Sequence, residues 1–433
     1  MKKIIHIAII MKKIMIKIPV MGLLLATLAI SCKKDTGPSI DDYPLNYEIP
    51  KVPVTSNIPV GAYIYEPSGI LITDEIKWTR ITEKHDAAAG KIGPYVRPEL
   101  GRYELRPTEA GALNMSKIVE WAKSAKIDFL ISPAMKENAG AMFPNNLNGT
   151  DSLTINMLAE HNFNLPSVNM GEMKYAMSVD INNFSSGLSN NLLLETAPAT
   201  VYNINGQNIS VSREERLYSF LRRISLYFKD ETYYHFQGKP VLVFLGADRL
   251  YTQDSKKVYD NIRKVIKEQT GKDVYIIARQ PQWTPSARFE YFFTQGKADA
   301  VTMDNMCNVG SGVTGWDRMY LLNRLINENY KLNKEYLSKN FGIDFIPSVS
   351  PSYTANINNA TPDYNYPAVR KKEAEFRERC NVAKMNLGNN RMVLVESFNN
   401  WQWDSQIEPT ASDYGEGYGT KYLDIVRDEF KVK

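Results

Sequence analysis

The sequence is poor in the residues that metal and nucleophile chemistries need. Among 433 residues there are three cysteines and four histidines. Cys307 and Cys380 stand far apart with no CxxC or Cys/His spacing, and His85, His161 and His235 are scattered, so neither a zinc site nor a disulfide framework is expected. HExxH and GxSxG are both missing, which removes the signatures of a zinc peptidase and of an α/β-hydrolase. No metal and no other cofactor is expected. The one GxGxxG match, Gly310 to Gly315, starts several residues past a strand pattern and has no acid at the end of the next strand, so it reads as a loop and not as a dinucleotide fingerprint. An excess of one charge is missing too. Lys and Arg number 52 against 48 Asp and Glu, and Lys2, Lys3, Lys12, Lys13 and Lys17 account for more than that surplus within the first 31 residues. The remainder is neutral to within one charge, so it lacks the basic stripe that neutralises phosphates, and nucleic acid is not an expected partner.

What is present begins with an address. Those five lysines flank and precede an apolar run, Ile14 to Ile30, followed by Ser31 and Cys32. Basic, then apolar, then small is the layout of a secretory signal. A cysteine directly after the small residue resembles the lipobox of bacterial lipoproteins, which implies lipidation at Cys32, export, and anchoring to a bacterial membrane. Residues 1–31 are therefore expected to be a lipoprotein signal peptide. Residues 32–59, with Pro38, Pro44, Pro50, Pro53 and Pro59, read as a proline-rich tether, and 60–433 as one domain.

Within 60–433 short apolar runs alternate with amphipathic stretches. The runs are Val60 to Tyr65, Phe129 to Ala134, Tyr175 to Ile181, Pro240 to Leu245, Val274 to Ala278, Ala300 to Met303, Phe345 to Val349 and Met392 to Glu396. Helical periodicity marks the gaps, as in Met115, Ile118, Val119 and Ala122, or Val258, Ile262, Val265 and Ile266. Eight strands, each followed by a helix, predict an α/β fold, a (β/α)8 TIM barrel. Long insertions follow strands one, two, three and seven, whereas the returns to the next strand are short. The strand-exit face is therefore where the site is expected.

That face carries the carboxylates Glu66, Asp180, Asp248, Asp304, Glu396, Asp404 and Glu408, and the rings Tyr65, Trp283, Trp316, Tyr353, Trp401 and Trp403. Carboxylates grip hydroxyls and exchange protons, and flat rings stack on the C–H face of a sugar, so together they suit an oligosaccharide or polysaccharide.

The run Glu396-Ser397-Phe398-Asn399-Asn400-Trp401-Gln402-Trp403-Asp404-Ser405-Gln406-Ile407-Glu408-Pro409 resembles the signature S-F-N-E-W-x-E-G-T-Q-I-E-P of glycoside hydrolase family 99, the endo-α-mannosidases, and its WbsX-like relatives. The resemblance implies a (β/α)8 barrel acting on glycans. In the family the two acids of N-E-W-x-E-G carry the chemistry; here those positions hold Asn400 and Trp403, and neither an amide nor an indole exchanges a proton near neutral pH. Two expectations follow. In the first, hydrolysis uses relocated acids, with Asp404, Glu408, Glu66 and Asp304 as catalytic candidates. In the second, the protein is an inactive glycan-binding lipoprotein of a polysaccharide-utilisation system. Asn399, Asn400, Trp401, Trp403, Trp316, Tyr65 and Gln406 are the substrate-binding candidates in either case.

Overall fold

The computed structural model describes residues 45–67, 73–86, 88, 89, 91, 93–105, 108–134, 168–204, 206–309, 321–358 and 368–433. Residues 1–44, with the signal and Cys32, lie outside the described residues, as do Trp316 and the Gly310–Gly315 motif.

The apolar runs form parallel strands around a barrel: β1 (Val60–Tyr63), β2 (Phe129–Ile131), β3 (Lys174–Asp180), β4 (Lys239–Leu245), β5 (Tyr275–Gln280), β6 (Ala300–Met303), β7 (Asp344–Ile346 and Ser348–Val349) and β8 (Val393–Val395). Neighbours in sequence pair in parallel from β1 to β7, and β8 pairs with β1 in the register Val60 to Val393. The seventh strand falls into two segments because Pro347 has no N–H to donate. Its first half pairs with β6 and its second half with β8, while the Pro347 carbonyl accepts from Leu394 N at 3.1 Å. Among the described residues hydrogen bonding gives nine parallel segments in the barrel, which by chain are the eight strands expected from the sequence.

Helices cover the outside: Glu109–Ser124 after β2's predecessor loop, Arg213–Ile224, Ser255–Thr270, Leu322–Phe341, Glu373–Met385 and Lys421–Phe430. Their boundaries follow local chemistry. Thr108, Ser212 and Asp254 each accept a backbone N–H of the first turn, and Gly271 and Gly342 end their helices at positive φ. The long insertions hold extra elements, including a helix at Glu75–Thr82 and an antiparallel hairpin spanning residues 200–211.

Alternate strand residues fill the lumen. Tyr63, Phe129, Ile131, Ala176, Val241, Val243, Tyr275, Ile277, Ala300, Ile346, Met392 and Leu394 form this inner cluster, separate from the larger core between strands and helices. Gly61 belongs to the same inward row. A Cβ there would lie 2.4 Å from Phe129 Cζ, so the missing side chain is what admits the Phe129 ring.

Residues from Ile49 to Lys433 form one compact unit. The last part of the expected tether runs along this unit: Asn381 accepts from Val52 N at 2.7 Å, and the Phe430 carbonyl accepts from Ile58 N at 3.0 Å.

Candidate functional site

The inward rows that plug the barrel with apolar side chains continue past its exit end with polar ones. Two residues beyond Ile277 on β5 is Arg279; two beyond Leu394 is Glu396; Tyr65 follows Tyr63, and Asp304 follows Thr302. Period-two geometry therefore brings all of them to the barrel axis.

Arg279 is the hub. Its Nη2 touches Asp304 Oδ1 and lies 2.5 Å from Glu396 Oε1. Nη1 donates to Tyr65 Oη at 3.4 Å, and the guanidinium carbon sits 4.9 Å from the centre of the Tyr63 ring. Tyr65 Oη donates in turn to Glu396 Oε2 at 3.1 Å. The two acids differ in environment: the Glu396 side chain is 2% exposed and that of Asp304 is 44% exposed.

Burial pushes the Glu396 carboxyl up to about 7; Arg279 opposes the rise and Asp304 adds to it. Burial pulls Arg279 down, but Asp304 and Glu396 outweigh it, and the guanidinium stays firmly charged. Asp248, beyond β4, is raised mainly by burial, with Asp304 contributing in the same direction.

The cluster leaves polar atoms unused. Tyr63 Oη, Arg279 Nε and Glu396 Oε1 are buried without a hydrogen-bond partner, since the approach of Nη2 to Oε1 is an ion contact out of hydrogen-bond alignment. Such atoms each cost about 1–3 kcal/mol, and three around one guanidinium ask for a ligand that supplies donors and acceptors.

The loop after β8 carries the motif, and its shape rests on the motif's own residues. Asn399 accepts Tyr65 N at 2.7 Å and donates to Tyr65 O at 2.8 Å, tying the loop to β1 as a paired strand would. Glu408 Oε2 accepts from Tyr103 Oη at 2.7 Å and from Trp401 Nε1 at 2.6 Å. Glu408 is fully buried, and burial raises its carboxyl to about 8 against those two bonds. Asp404, at φ 52°, closes the short turn Trp401–Trp403 and accepts Lys371 Nζ at 2.6 Å on its carboxylate. Burial lowers Lys371, and the pairing with Asp404 opposes that.

Of the acids expected from the sequence, Asp304 joins the Arg279 cluster. Asp404 and Glu408 do not lie open to a cleft as expected: one is buried and ion-paired to Lys371, and the other is enclosed between Tyr103 and Trp401. Glu66 is half-buried beyond Tyr65. Among the ring and amide candidates, Tyr65 is in the cluster, Asn399 and Trp401 hold the loop, and Gln406 is buried and donates to Asp404 Oδ1 at 3.3 Å. Asn400 is buried with its N–H on Ser397 Oγ, and Trp403 is half-buried and stacks on Tyr353 at 5.4 Å between centres. Sequence reasoning missed Arg279 and left Glu396 out of the chosen acids. The signal was there: an arginine on an otherwise apolar strand has to meet acids inside the fold.

A family model, Glycosyltransferase WbsX, matches residues 206–426, a span that holds the strands from β4 to β8 and the whole motif loop. The chain belongs to this family. Among solved structures, the WbsX-family chain is similar to one described as a glycoside hydrolase-like protein, with 25% identity, a TM-score of 0.70, and coverage of 91% of this chain and 99% of that one. The endo-alpha-mannosidase of family 99 from Bacteroides thetaiotaomicron shares the fold, at 13% identity and a TM-score of 0.51, covering 87% of this chain and 97% of that one. None of the curated proteins matches. These likenesses identify a carbohydrate-active, glycosidase-like protein.

Proposed function

We propose that this protein takes a neutral oligosaccharide or polysaccharide chain at the strand-exit mouth of the barrel, as an exported lipoprotein held to a membrane through Cys32. The observation that carries the reading is the set of buried, unpartnered polar atoms around Arg279 beside the half-exposed Asp304. Sugar hydroxyls both donate and accept, so a glycan seated on the half-exposed Asp304 meets a mouth where Tyr63, Arg279 and Glu396 still have polar atoms to satisfy. The Tyr353–Trp403 stack, on the loops leaving β7 and β8, supplies flat apolar surface for a sugar ring.

The family's name speaks of a transferase and the solved neighbour's of a hydrolase. Charge favours the hydrolase side. Glu66, Asp180, Asp248, Asp304 and Glu396 gather at the exit ends of the strands, and the guanidinium among them is already held by two carboxylates. A nucleotide-sugar diphosphate would meet repulsion there, whereas a neutral glycan would not.

Calorimetry with a panel of neutral glycans, including mannans, is expected to give saturable heat that Arg279→Met abolishes. No heat with any member of the panel would remove the reading. The loss of the family's acids at Asn400 and Trp403 favours a second version, glycan binding without turnover, and product analysis on the glycan that binds separates the two.

A further inference from the structure

Resting on that reading of the mouth, we infer that Asp304 and Glu396 form the carboxylate pair that hydrolyses the glycan in this chain, in place of the pair absent at Asn400 and Trp403. Both carboxylates touch one nitrogen, Arg279 Nη2, so their contacting oxygens are no farther apart than the sum of two ion contacts. That is closer than the roughly 5–5.5 Å of pairs that attack the sugar directly, and so falls on their side of the division. It is well short of the roughly 6.5–9.5 Å that leaves room for an inverting water.

Environment divides the roles. Glu396 is enclosed, and burial raises its carboxyl to about 7 even though Arg279 Nη2 lies against Oε1. Asp304 faces the mouth with nearly half of its side chain exposed and its Oδ1 on the Arg279 guanidinium. The enclosed carboxyl is therefore assigned the acid's role and the exposed one the nucleophile's.

In the first step an Asp304 oxygen bonds to the anomeric carbon as the glycosidic C–O bond breaks. The Glu396 proton passes to the departing oxygen, which leaves as an alcohol. In the second step the Glu396 carboxylate takes a proton from water, whose oxygen bonds to the anomeric carbon and releases Asp304. Both side chains return to their starting states, water is the only co-reactant, and the anomeric configuration is retained. Arg279 is a positioning residue that holds the pair, and Tyr65 steadies Glu396 from the β1 side.

The test uses the neutral glycan that binds in calorimetry and the 4-nitrophenyl glycoside of its terminal sugar. Wild type is expected to cleave both, with the first-formed product anomer retained by NMR. Glu396→Gln, which keeps an acceptor oxygen, should weaken glycan binding by no more than about tenfold and lose cleavage of the natural glycan by about 10²–10⁴-fold. Its loss on the nitrophenyl glycoside should be far smaller, because nitrophenolate leaves without a proton, and the alkaline limb of the wild-type kcat/KM profile, near the Glu396 value of about 7, should vanish. Azide should restore turnover of the nitrophenyl glycoside in Glu396→Ala. Asp304→Asn should bind and cleave neither; should it misfold, Asp304→Glu serves, with binding kept and turnover lowered. Arg279→Lys should move the alkaline limb, which a purely structural role would not do.

An inverted product, or Glu396→Gln with unchanged turnover of the natural glycan, overturns the inference. So does a wild type that binds glycan and cleaves neither substrate, an outcome that leaves the glycan site standing. Absence of any binding removes the site and the pair together.

Discussion

At the residue scale, two carboxyls beyond the eighth strand are raised by burial, Glu396 and Glu408. Asn400 and Trp403 cannot titrate, and four residues before Asn400 stands Glu396, held near neutrality by burial. Glu408 is the second buried carboxyl, and its effect is structural. Its folded value of about 8 lies above the ordinary carboxylate range near 4.5, so the native state holds the proton more tightly than the unfolded chain does. The sign follows: the stability that this proton confers is complete below about 4.5 and is lost as pH rises through about 8. Glu408→Gln is expected to shrink the fall in stability between pH 5 and pH 9 by roughly 4 kcal/mol, as read by urea unfolding at each pH. An unchanged slope would mean that Glu408 is solvated in its charged form.

At the element scale, the barrel strands do two tasks with one periodicity. Inward residues pack the lumen at one end and present charge at the other, so any shift of register along a strand would displace the site as well as the core. Gly61 tests this. Gly61→Ala sets a methyl against the Phe129 ring and Leu394 Cδ2, at 2.4 and 2.9 Å, and should cost about 2 kcal/mol. Phe129→Leu should recover part of the loss in Tm, and the absence of any recovery would place the strain elsewhere. The β8 loop is a second such element. Asn399→Ala removes both bonds that join it to Tyr65, so it should lower glycan affinity by about tenfold through loss of alignment, measured by calorimetry alongside an unchanged far-UV spectrum.

At the scale of the whole molecule, the proposed anchoring has its counterpart in the distribution of charge. The surplus of positive charge sits in the first 31 residues, and the domain that follows is close to neutral. Cys32→Ser is expected to move the protein from the membrane fraction to the soluble fraction and to abolish labelling by a fatty-acid analogue. Retention in the membrane without the label would point to the uncleaved apolar run as the anchor.

Much of this was legible in the order of the residues. Eight apolar runs separated by helical periodicity determine the barrel, because a strand buried on both faces can be built from little else. The exit face follows from where the long insertions lie, and Asp304 and Tyr65 follow from being at the ends of strands. The seventh strand was legible only in outline, since its division at Pro347 depends on which neighbours each half meets. The grouping of Arg279, Asp304 and Glu396 was decided by the tertiary structure. Glu396 follows the eighth strand, Arg279 lies one residue before the end of the fifth and Asp304 follows the sixth, and only closure of the barrel carries them to one axis. The same closure gave Asp404 to Lys371 and Glu408 to Tyr103, contacts across 33 and 305 residues of chain. Composition and periodicity report what a residue needs, an apolar neighbour or a counter-charge. Which partner meets that need, and which carboxyl is left holding a proton, depends on distances through space that chain order does not contain.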